Sequence, residues 1–326
     1  MKALFFPRRR ALHTLTACAL ALAAPLAGAQ AYPTKPVRFV VNFPAGGPTD
    51  MMARSVGDTL QQTLKQPMVV ENKAGAGGNI GTDTVAKSAP DGYAVLFSID
   101  TPFTVNPHLY PNLPYKTGDL KPLVVMASSG LLVGVNPGTK IHSLADLVKT
   151  AKTRSLNFGS AGSGSPGHLA VELFTEATNT RLNHIPYRGN TAAVTAILSG
   201  EVDGGVLATP GVLPHVQSGK VKGLAVTSRQ RSRLLPDLPT VAELGHKNLE
   251  QEVLYFVAVP AATPEPVQKA LTQAILEAVK RPDVQARMTQ LDLFPEALSG
   301  DAAVQRVQGL YNRYGPIVKA TGMKVE

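Results

Sequence analysis

One stretch of the hydrophobic pattern predicts a buried strand, a glycine-rich turn and an amphipathic helix in succession. Residues 37–41 are almost all apolar, which is typical of a strand covered on both faces in a parallel sheet. Prolines and glycines interrupt the pattern at 44–48, and apolar residues then recur at helical spacing over 52–64, with Thr49 or Asp50 as the expected N-cap. Unpaired N–H groups and the helix dipole at such a turn favour an anion. Because the turn carries no obvious nucleophile or base, the pattern indicates binding rather than chemistry.

Two more glycine-rich loops follow apolar runs of the same kind. The run 67–70 leads into the glycine-rich stretch 74–81, and a strand at 93–97, ending near Thr101, completes a βαβαβ unit. The pattern restarts farther along with a short strand that enters the glycine–serine stretch 159–165 and then a helix. We name these turns the first, second and third glycine loops: 44–48, 74–81 and 159–165. In open α/β sheets, ligands bind at the strand edge where such loops lie.

The remaining apolar runs predict a second α/β unit inserted into the first. Further strands are expected at 123–126, 131–135, 183–187 (an edge strand), 202–206, 223–227 and 253–259. Further helices are expected after Ser143, over 191–198, from Pro264, and toward Tyr314. The fold class is therefore α/β, with a first lobe formed by 33–132 and 251–326, a second lobe formed by 133–250, and a ligand cleft between them.

The N-terminal segment has the pattern of a secretory signal peptide. Arginines occupy 8–10, an alanine- and leucine-rich run covers 12–26, and Ala-Gly-Ala at 27–29 fits a cleavage site, so residues 1–29 are expected to be removed on export to the periplasm. A lipoprotein anchored through Cys18 is the alternative. It is disfavoured because the apolar run continues past that cysteine.

Composition limits the chemistry of the exported chain. Cys18 is the only cysteine, so removal of the leader excludes disulfides, thiolate metal sites and a cysteine nucleophile. The leader also holds four basic residues, so the formal net charge falls from +9 to +5. Because that charge forms no dense lysine–arginine block, it favours small anions over nucleic acid.

Three alternative sites can be drawn on the sequence. Residues 162–167 match the dinucleotide pattern G-x-G-x-x-G, but Arg188 lies where an acidic ribose ligand is needed. A serine hydrolase could use Ser160 or Ser165 with His168 and Asp203, although no G-x-S-x-G elbow is present; Ser165 as a helix cap is the simpler interpretation. The scattered histidines predict no metal site, and no cofactor is expected. Arg188 is equally compatible with a solvated surface charge.

Several longer motifs resemble one protein family in the correct order along the chain. They are P-x-K-P-V-R-F-V-V-N-F-P-A-G-G-P-T-D-M-M-A-R (33–54), V-E-N-K-A-G-A-G-G-N-I-G-T (70–82), P-D-G-Y (90–93), N-P-H-L-Y (106–110), N-F-G-S-A-G-S-G-S-P-G-H-L-A (157–170), H-I-P-Y-R-G (184–189), G-E-V-D (200–203) and L-A-V-T-S-x-x-R (224–231). The chain resembles the Bug family, the extracytoplasmic solute receptors of tripartite tricarboxylate transporters.

This resemblance implies a two-lobed periplasmic binding protein of type II topology that closes on a small carboxylate without altering it. In the first lobe it points to Ala45, Gly46, Gly47, Thr49, Asp50, Gly77 and Gly78, and Thr101 at the end of the third strand completes that side. In the second lobe it points to Ser160, Gly162, Ser165 and His168, with Asp203 contacting the far end of the ligand. A monomer is expected.

The implied partners are a small organic acid and the membrane subunits of a tripartite tricarboxylate transporter. A dicarboxylate, an amino acid and an aromatic carboxylate all remain open as ligands. The chain departs from the family pattern in the position of Pro44 and in having no tryptophan near Tyr255. The small residues 204–206 could enlarge the pocket. An exported hydrolase and a sensor for a membrane signalling protein are the alternative functions.

Overall fold

A computed structural model describes residues 32–180 and 182–324. The predicted leader, residues 1–29, and the lipoprotein alternative at Cys18 lie outside the described residues. The elements below all belong to one compact unit that begins at Lys35. In the described part of the chain, no helix combines the length and the apolar character needed to cross a bilayer.

The strands follow the predicted apolar runs closely. They are β1 Val37–Val41, β2 Met68–Asn72, β3 Ala94–Ile99, β4 Leu120–Ser129, β5 Leu131–Val135, β6 Leu156–Ser160, β7 Leu182–Pro186, β8 Gly204–Ala208, β9 Lys222–Val226, β10 Val253–Pro260 and β11 Phe294–Ser299. The helices are α1 Pro48–Leu64, α2 Asn79–Ala86, α3 Thr101–Thr104, α4 Asn106–Leu109, α5 Leu144–Thr153, α6 Pro166–Thr178, α7 Asn190–Ser199, α8 Thr209–Gln217, α9 Glu265–Lys280, α10 Pro282–Gln290 and α11 Asp301–Thr321.

The strands form two sheets of the same topology, except that the first has the additional edge strand β11. The first sheet has the order β11-β4-β10-β3-β1-β2, and the second has the order β7-β6-β8-β5-β9. In the first sheet β1, β2 and β3 are parallel, and the antiparallel strand β10 separates them from β4. In the second sheet β6, β7 and β8 are parallel, and the antiparallel strand β5 separates them from β9. In each sheet this antiparallel strand, β10 or β5, is the first strand in the sequence after the chain crosses from the other sheet.

The first crossing between the sheets is short, and the longer segment 227–252 that returns to the first sheet packs against it. Gly130 alone separates β4 from β5, and a Cβ atom added to it would lie 2.6 Å from Ser228 Oγ in the returning segment. Thr227 joins the two crossings, because its hydroxyl donates to Gln251 O (2.6 Å) and accepts from Leu131 N (2.8 Å). The boundary predicted after residue 132 therefore falls inside β5, which pairs with the second sheet along its whole length.

The core of the first sheet explains why its central strands read as continuous apolar runs. Helices cover both faces, so Phe39, Val40 and Val41 in β1 are fully buried, as is Val257 in β10. The N-cap of α1 differs from the prediction: it is Gly47, with Pro48 as the first helical residue, rather than Thr49 or Asp50. Proline suits that position because its missing N–H would have no intrahelical acceptor anyway.

Candidate ligand-binding site

A cavity of about 600 Å³ lies where the carboxyl ends of the parallel strands of both sheets face each other. The three glycine loops line it, together with the loop at 187–191 that follows β7. Its apolar wall comes from strand ends, and the residues are Ile99, Leu131, Val206, Leu207, Val253 and Tyr255. Each parallel strand of the two βαβαβ units therefore contributes its carboxyl end to one cavity, which is where an open α/β sheet binds ligands.

Asp50 holds the first glycine loop in shape from behind. Its Oδ2 accepts a hydrogen bond from Gly46 N (2.9 Å), and its Oδ1 accepts one from Asn72 Nδ2 (3.0 Å) and pairs with Arg54 Nη2 at 3.0 Å. The side chain is buried and does not line the cavity. Burial raises the pKa of Asp50, but the hydrogen bonds from Arg54, Gly46 and Asn72 outweigh it, and the net pKa lies below the ordinary value.

The N-terminus of α1 leaves backbone donors directed at the cavity edge. Gly47 has no side chain to cap the helix, and the first intrahelical bond runs from Met51 N to Gly47 O (3.0 Å). The N–H groups of Thr49 and Asp50 precede that bond, so neither has an intrahelical acceptor. The positive end of a 17-residue helix therefore meets the cavity beside Ala45 and Thr49.

The second glycine loop needs its glycines. Gly77 and Gly78 have positive φ angles of 62° and 92°, and a Cβ on Gly78 would lie 3.0 Å from both Asn42 Nδ2 and Pro102 Cγ. Asn106 fixes the loop from α4, since its Nδ2 donates to Gly77 O (3.0 Å). Close packing on one side thus leaves the other side of the loop open to the cavity.

The third glycine loop rests on a buried cluster of serine and histidine side chains. Ser165 caps α6 by accepting from His168 N (3.3 Å), as expected. Ser160 is fully buried; its Oγ lies 2.6 Å from His184 Nε2 and accepts from Gly162 N (3.2 Å). The neighbouring Gly167 admits no side chain, because a Cβ there would overlap Val206 O in β8.

The two histidines of this cluster stack face to face. Their ring centroids are 3.7 Å apart and their planes differ by 6°. Gly164 N donates to His168 Nδ1 (3.1 Å), which makes that nitrogen an acceptor. Burial, followed by the proximity of His168, lowers the pKa of His184 to about 3, so His184 is neutral at ordinary pH.

The cluster does not have the geometry of a serine hydrolase. Ser160 lies underneath the loop with no exposed surface, and Ser165 shares one helix start with His168 rather than facing it across the cavity. His184 has no carboxylate partner among the described residues. A metal centre has no support within 32–180 and 182–324 either, where no three histidine, cysteine or acidic side chains converge.

Comparison with known proteins identifies the family. The model of the tripartite tricarboxylate transporter family receptor matches residues 52–323. Protein BugT of Bordetella pertussis strain Tohama I is 37% identical over 309 residues, which cover 94% of each chain. The chain belongs to this receptor family.

Solved structures of similar proteins confirm the predicted fold of this receptor. The periplasmic binding protein BugD is 33% identical and superposes with a TM-score of 0.82, over 90% of this chain and all of that one. The R. palustris protein Rpa4515, solved with adipate, is 28% identical with a TM-score of 0.85, over 90% of this chain and all of that one. The receptor is therefore a two-lobed periplasmic binding protein fold of type II topology, with the cavity between the lobes.

The structure brings most of the predicted site residues to the cavity or directly behind it. The residues that line it are Ala45, Gly47, Thr49, Gly77, Gly78, Gly162 and Ser165. The residues that support those loops from behind are Gly46, Asp50, Ser160 and His168. Thr101 begins α3 and is buried, and its hydroxyl has no hydrogen-bond partner in the described part of the chain.

Asp203 lies at the amino end of β8, away from the carboxyl end that lines the cavity. The sequence pattern placed it inside a strand at 202–206, but β8 begins at Gly204, so Asp203 precedes the strand and Ala208 is its carboxyl end. Val206 is the first residue of β8 that lines the cavity, and at about 3.3 Å per residue the strand places Asp203 about 10 Å from it, toward the opposite end of the strand. Its carboxylate is already occupied: it accepts from Arg154 Nη1 (3.1 Å) and from Asn157 N (2.8 Å).

Sequence reasoning missed two parts of the receptor's cavity. The apolar wall, including Leu131 and Val253, resembles ordinary core in the sequence, because strands buried on both faces carry no mark of where they end. Arg188 lines the rim, and the motif H-I-P-Y-R-G was the signal that could have placed it there. Tyr255 does lie at the position where an aromatic residue was expected.

Proposed function

We propose that this receptor captures a small carboxylate-bearing organic anion between its lobes and delivers it to the membrane subunits of a tripartite tricarboxylate transporter. One observation carries the proposal: the uncapped N-terminus of α1 and the first glycine loop present backbone donors to a cavity of ligand size. A carboxylate satisfies such donors and the helix dipole together. The adipate seen in the R. palustris relative supports the same class of ligand.

The binding energy required is modest. Micromolar affinity corresponds to about −8 kcal/mol. Hydrogen bonds from N–H groups to a charged carboxylate are roughly twice as strong as neutral ones, and the apolar wall adds burial of the ligand's carbon atoms. Donors from the third glycine loop, near Gly162 and Ser165, would complete the enclosure when the lobes close.

The proposed role is binding without chemistry, by a monomer in the periplasm exported through its leader. Buried Ser160 and the helix-capping role of Ser165 support this view over the hydrolase alternative. A sensor function would use the same cavity. It predicts that deletion of the gene leaves uptake of the ligand unchanged, whereas the transport function predicts that uptake is lost.

A matched pair of substitutions at Ala45 tests the site. Ala45 is exposed on the first glycine loop and lines the cavity, so Ala45→Asp places a negative charge beside the proposed carboxylate, while Ala45→Asn adds a side chain of the same size without charge. The leaderless protein is screened against organic acids by thermal shift, and calorimetry then measures the affinity of the acid that stabilises it most. We expect Ala45→Asp to weaken binding at least tenfold and Ala45→Asn to have a much smaller effect. Equal affinities of the two variants would contradict the proposed location, and steady turnover of the acid would contradict the proposed role.

A further inference from the structure

Arg188 is the only charged residue among the described residues that line the cavity. It is exposed and makes no hydrogen bond or ion pair with any described residue, whereas other arginines of the chain are paired with carboxylates; examples are Arg54 with Asp50, Arg154 with Asp203 and Arg306 with Glu296. A guanidinium at a cavity rim with its donors unused is available to a ligand.

The backbone on both sides of Arg188 is fixed to the third glycine loop. Tyr187 N donates to Ser160 O (3.1 Å), and Gly189 N donates to Ala161 O (3.2 Å). The hydroxyl of Tyr187 also donates to Glu201 Oε1 (2.7 Å). The backbone of Arg188 is therefore held next to the third glycine loop by hydrogen bonds on both sides.

The turn that carries Arg188 faces the first glycine loop across the cleft. A Cβ atom added to Gly189 would lie 3.7 Å from Pro44 Cγ, which belongs to the other lobe. The N-terminus of α1 thus supplies donors from one lobe, and Arg188 supplies a positive charge from the opposite lobe. A ligand that uses both needs two anionic groups.

Apolar side chains make up much of the remaining cavity wall, and the polar ones there, such as Tyr110, Asn190 and Thr191, are uncharged. Ile99, Leu131, Leu207 and Val253 form the apolar part of the wall, and no acidic side chain lines the cavity within the described residues. An α-ammonium group would find no carboxylate there, and leaving a charged group without a partner in a closing cleft is costly. The wall instead matches a hydrocarbon or aromatic body.

We propose that Arg188 holds a second anionic group of the ligand, so that the cleft selects organic dianions with an apolar body over monoanions and over amino acids. The inference rests on the proposed function and adds to it the residue that sets specificity. The planar guanidinium binds a carboxylate through two parallel hydrogen bonds, a geometry that an isosteric neutral end group cannot satisfy. A charge-assisted contact of this kind corresponds to about a tenfold or larger change in affinity.

Calorimetry on matched ligand pairs tests the proposal. The pairs are straight-chain dicarboxylates of four to eight carbons against monocarboxylates of equal carbon number, and benzene-1,4-dicarboxylate against 4-methylbenzoate; adipate is also compared with 2-aminoadipate. For the best pair we expect the dianion to bind at least tenfold more tightly than the monoanion and adipate more tightly than its amino derivative. Arg188→Gln should remove the advantage of the dianion and leave the dissociation constant of the monoanion unchanged.

Arg281→Gln is the control, because it removes the same charge from an exposed arginine at the start of α10, away from the cavity. It should retain the wild-type preference. Monoanions that bind the wild type as tightly as dianions, or an unchanged preference in Arg188→Gln, would overturn the role of Arg188 while leaving carboxylate capture intact. A wild-type protein that binds none of these acids would overturn the proposed function, and the role of Arg188 with it.

Discussion

Ser160 Oγ lies 2.6 Å from His184 Nε2, underneath the loop that forms one wall of the ligand cavity. His168 stacks on a face of the His184 ring, and the cluster joins β6, β7 and the start of α6. Ser160 and His168, which in the sequence could be taken for a nucleophile and its base, thus support a loop that lines the cavity. These contacts hold the third glycine loop from its inner side.

The depressed pKa of His184 predicts loss of stability in mild acid. Its pKa is about 3 in the folded protein, below the ordinary value of 6.5, so between these values the unfolded chain binds more protons. The contribution of neutral His184 to the stability of the fold is complete above pH 6.5 and is lost as the pH falls toward 3. We expect the melting temperature of the wild type to fall more steeply between pH 6.5 and 4.5 than that of His184→Gln. His142→Gln, which removes an exposed imidazole, should keep the wild-type slope, and equal slopes in all three proteins would contradict the assignment.

Asp100 predicts the opposite pH trend. Its buried carboxylate accepts from Leu254 N (2.8 Å) and from Thr104 Oγ1 (2.9 Å), and burial raises its pKa to about 6 from 3.8. Between pH 4 and 6 the folded protein therefore retains a proton on Asp100 that the unfolded chain releases. The free energy of unfolding decreases over this range as the pH rises, because the carboxyl group must ionise in a buried site. Asp100→Asn should gain a few degrees of melting temperature relative to the wild type over that range. The exposed substitution Asp237→Asn should show no such relative gain, and a parallel pair of curves for wild type and Asp100→Asn would refute the prediction.

Asp50 should affect ligand binding although it does not line the cavity. Asp50→Ala removes the acceptor for Gly46 N and leaves Asn72 and Arg54 without their partner, which should cost roughly 1–3 kcal/mol of unfolding free energy. The first glycine loop then loses its shape, and we expect at least a tenfold loss of organic-acid affinity, with faster hydrogen exchange at 45–47. Asp58→Ala, on the exposed face of the same helix, is the matched control. Wild-type affinity in Asp50→Ala would show that the first glycine loop keeps its conformation without Asp50.

Gly167 should tolerate no side chain. Gly167→Ala forces a Cβ onto Val206 O, so either α6 or β8 must shift, and we expect roughly 2 kcal/mol or more of destabilisation in urea unfolding. Gly309→Ala provides the comparison within α11, where nothing lies near the added atom. There the higher helix propensity of alanine should raise stability by about 0.5–1 kcal/mol. Similar effects of the two substitutions would mean that α6 does not pack on β8 as closely as described.

The sequence pattern was most informative where strands are buried on both faces. The run 131–135 coincides with β5, because its residues are all apolar and the glycine before them marks a sharp start. Strand β11 was missed, since it is only partly buried and contains Pro295, so it shows neither a continuous run nor a clean alternation. The edge strands β2, β7 and β9 were predicted, so it is the proline and the lack of a buried apolar run, not the edge position, that concealed β11.

The candidate site was predictable where backbone geometry dictates residue type. Positive φ angles and close packing require glycine at Gly78, and such requirements appear directly in the sequence. Asp203 does not line the cavity, because it precedes β8, whereas the residues of that strand that line the cavity are those toward its carboxyl end. Arg188 lies in the motif H-I-P-Y-R-G, but its place at the rim depends on how the two sheets face each other, which the motif alone does not specify.

The strand inserted in the middle of each sheet has a consequence for how the protein is made. Strand β10 lies between β3 and β4, yet it is translated after every strand of the second sheet. A nascent chain that has emerged only to Gly130 cannot join β4 to its neighbours, whereas the second sheet has all its strands by Val226. As the chain emerges from its N-terminus to its C-terminus, the lobe that begins second is therefore the first that has all its strands.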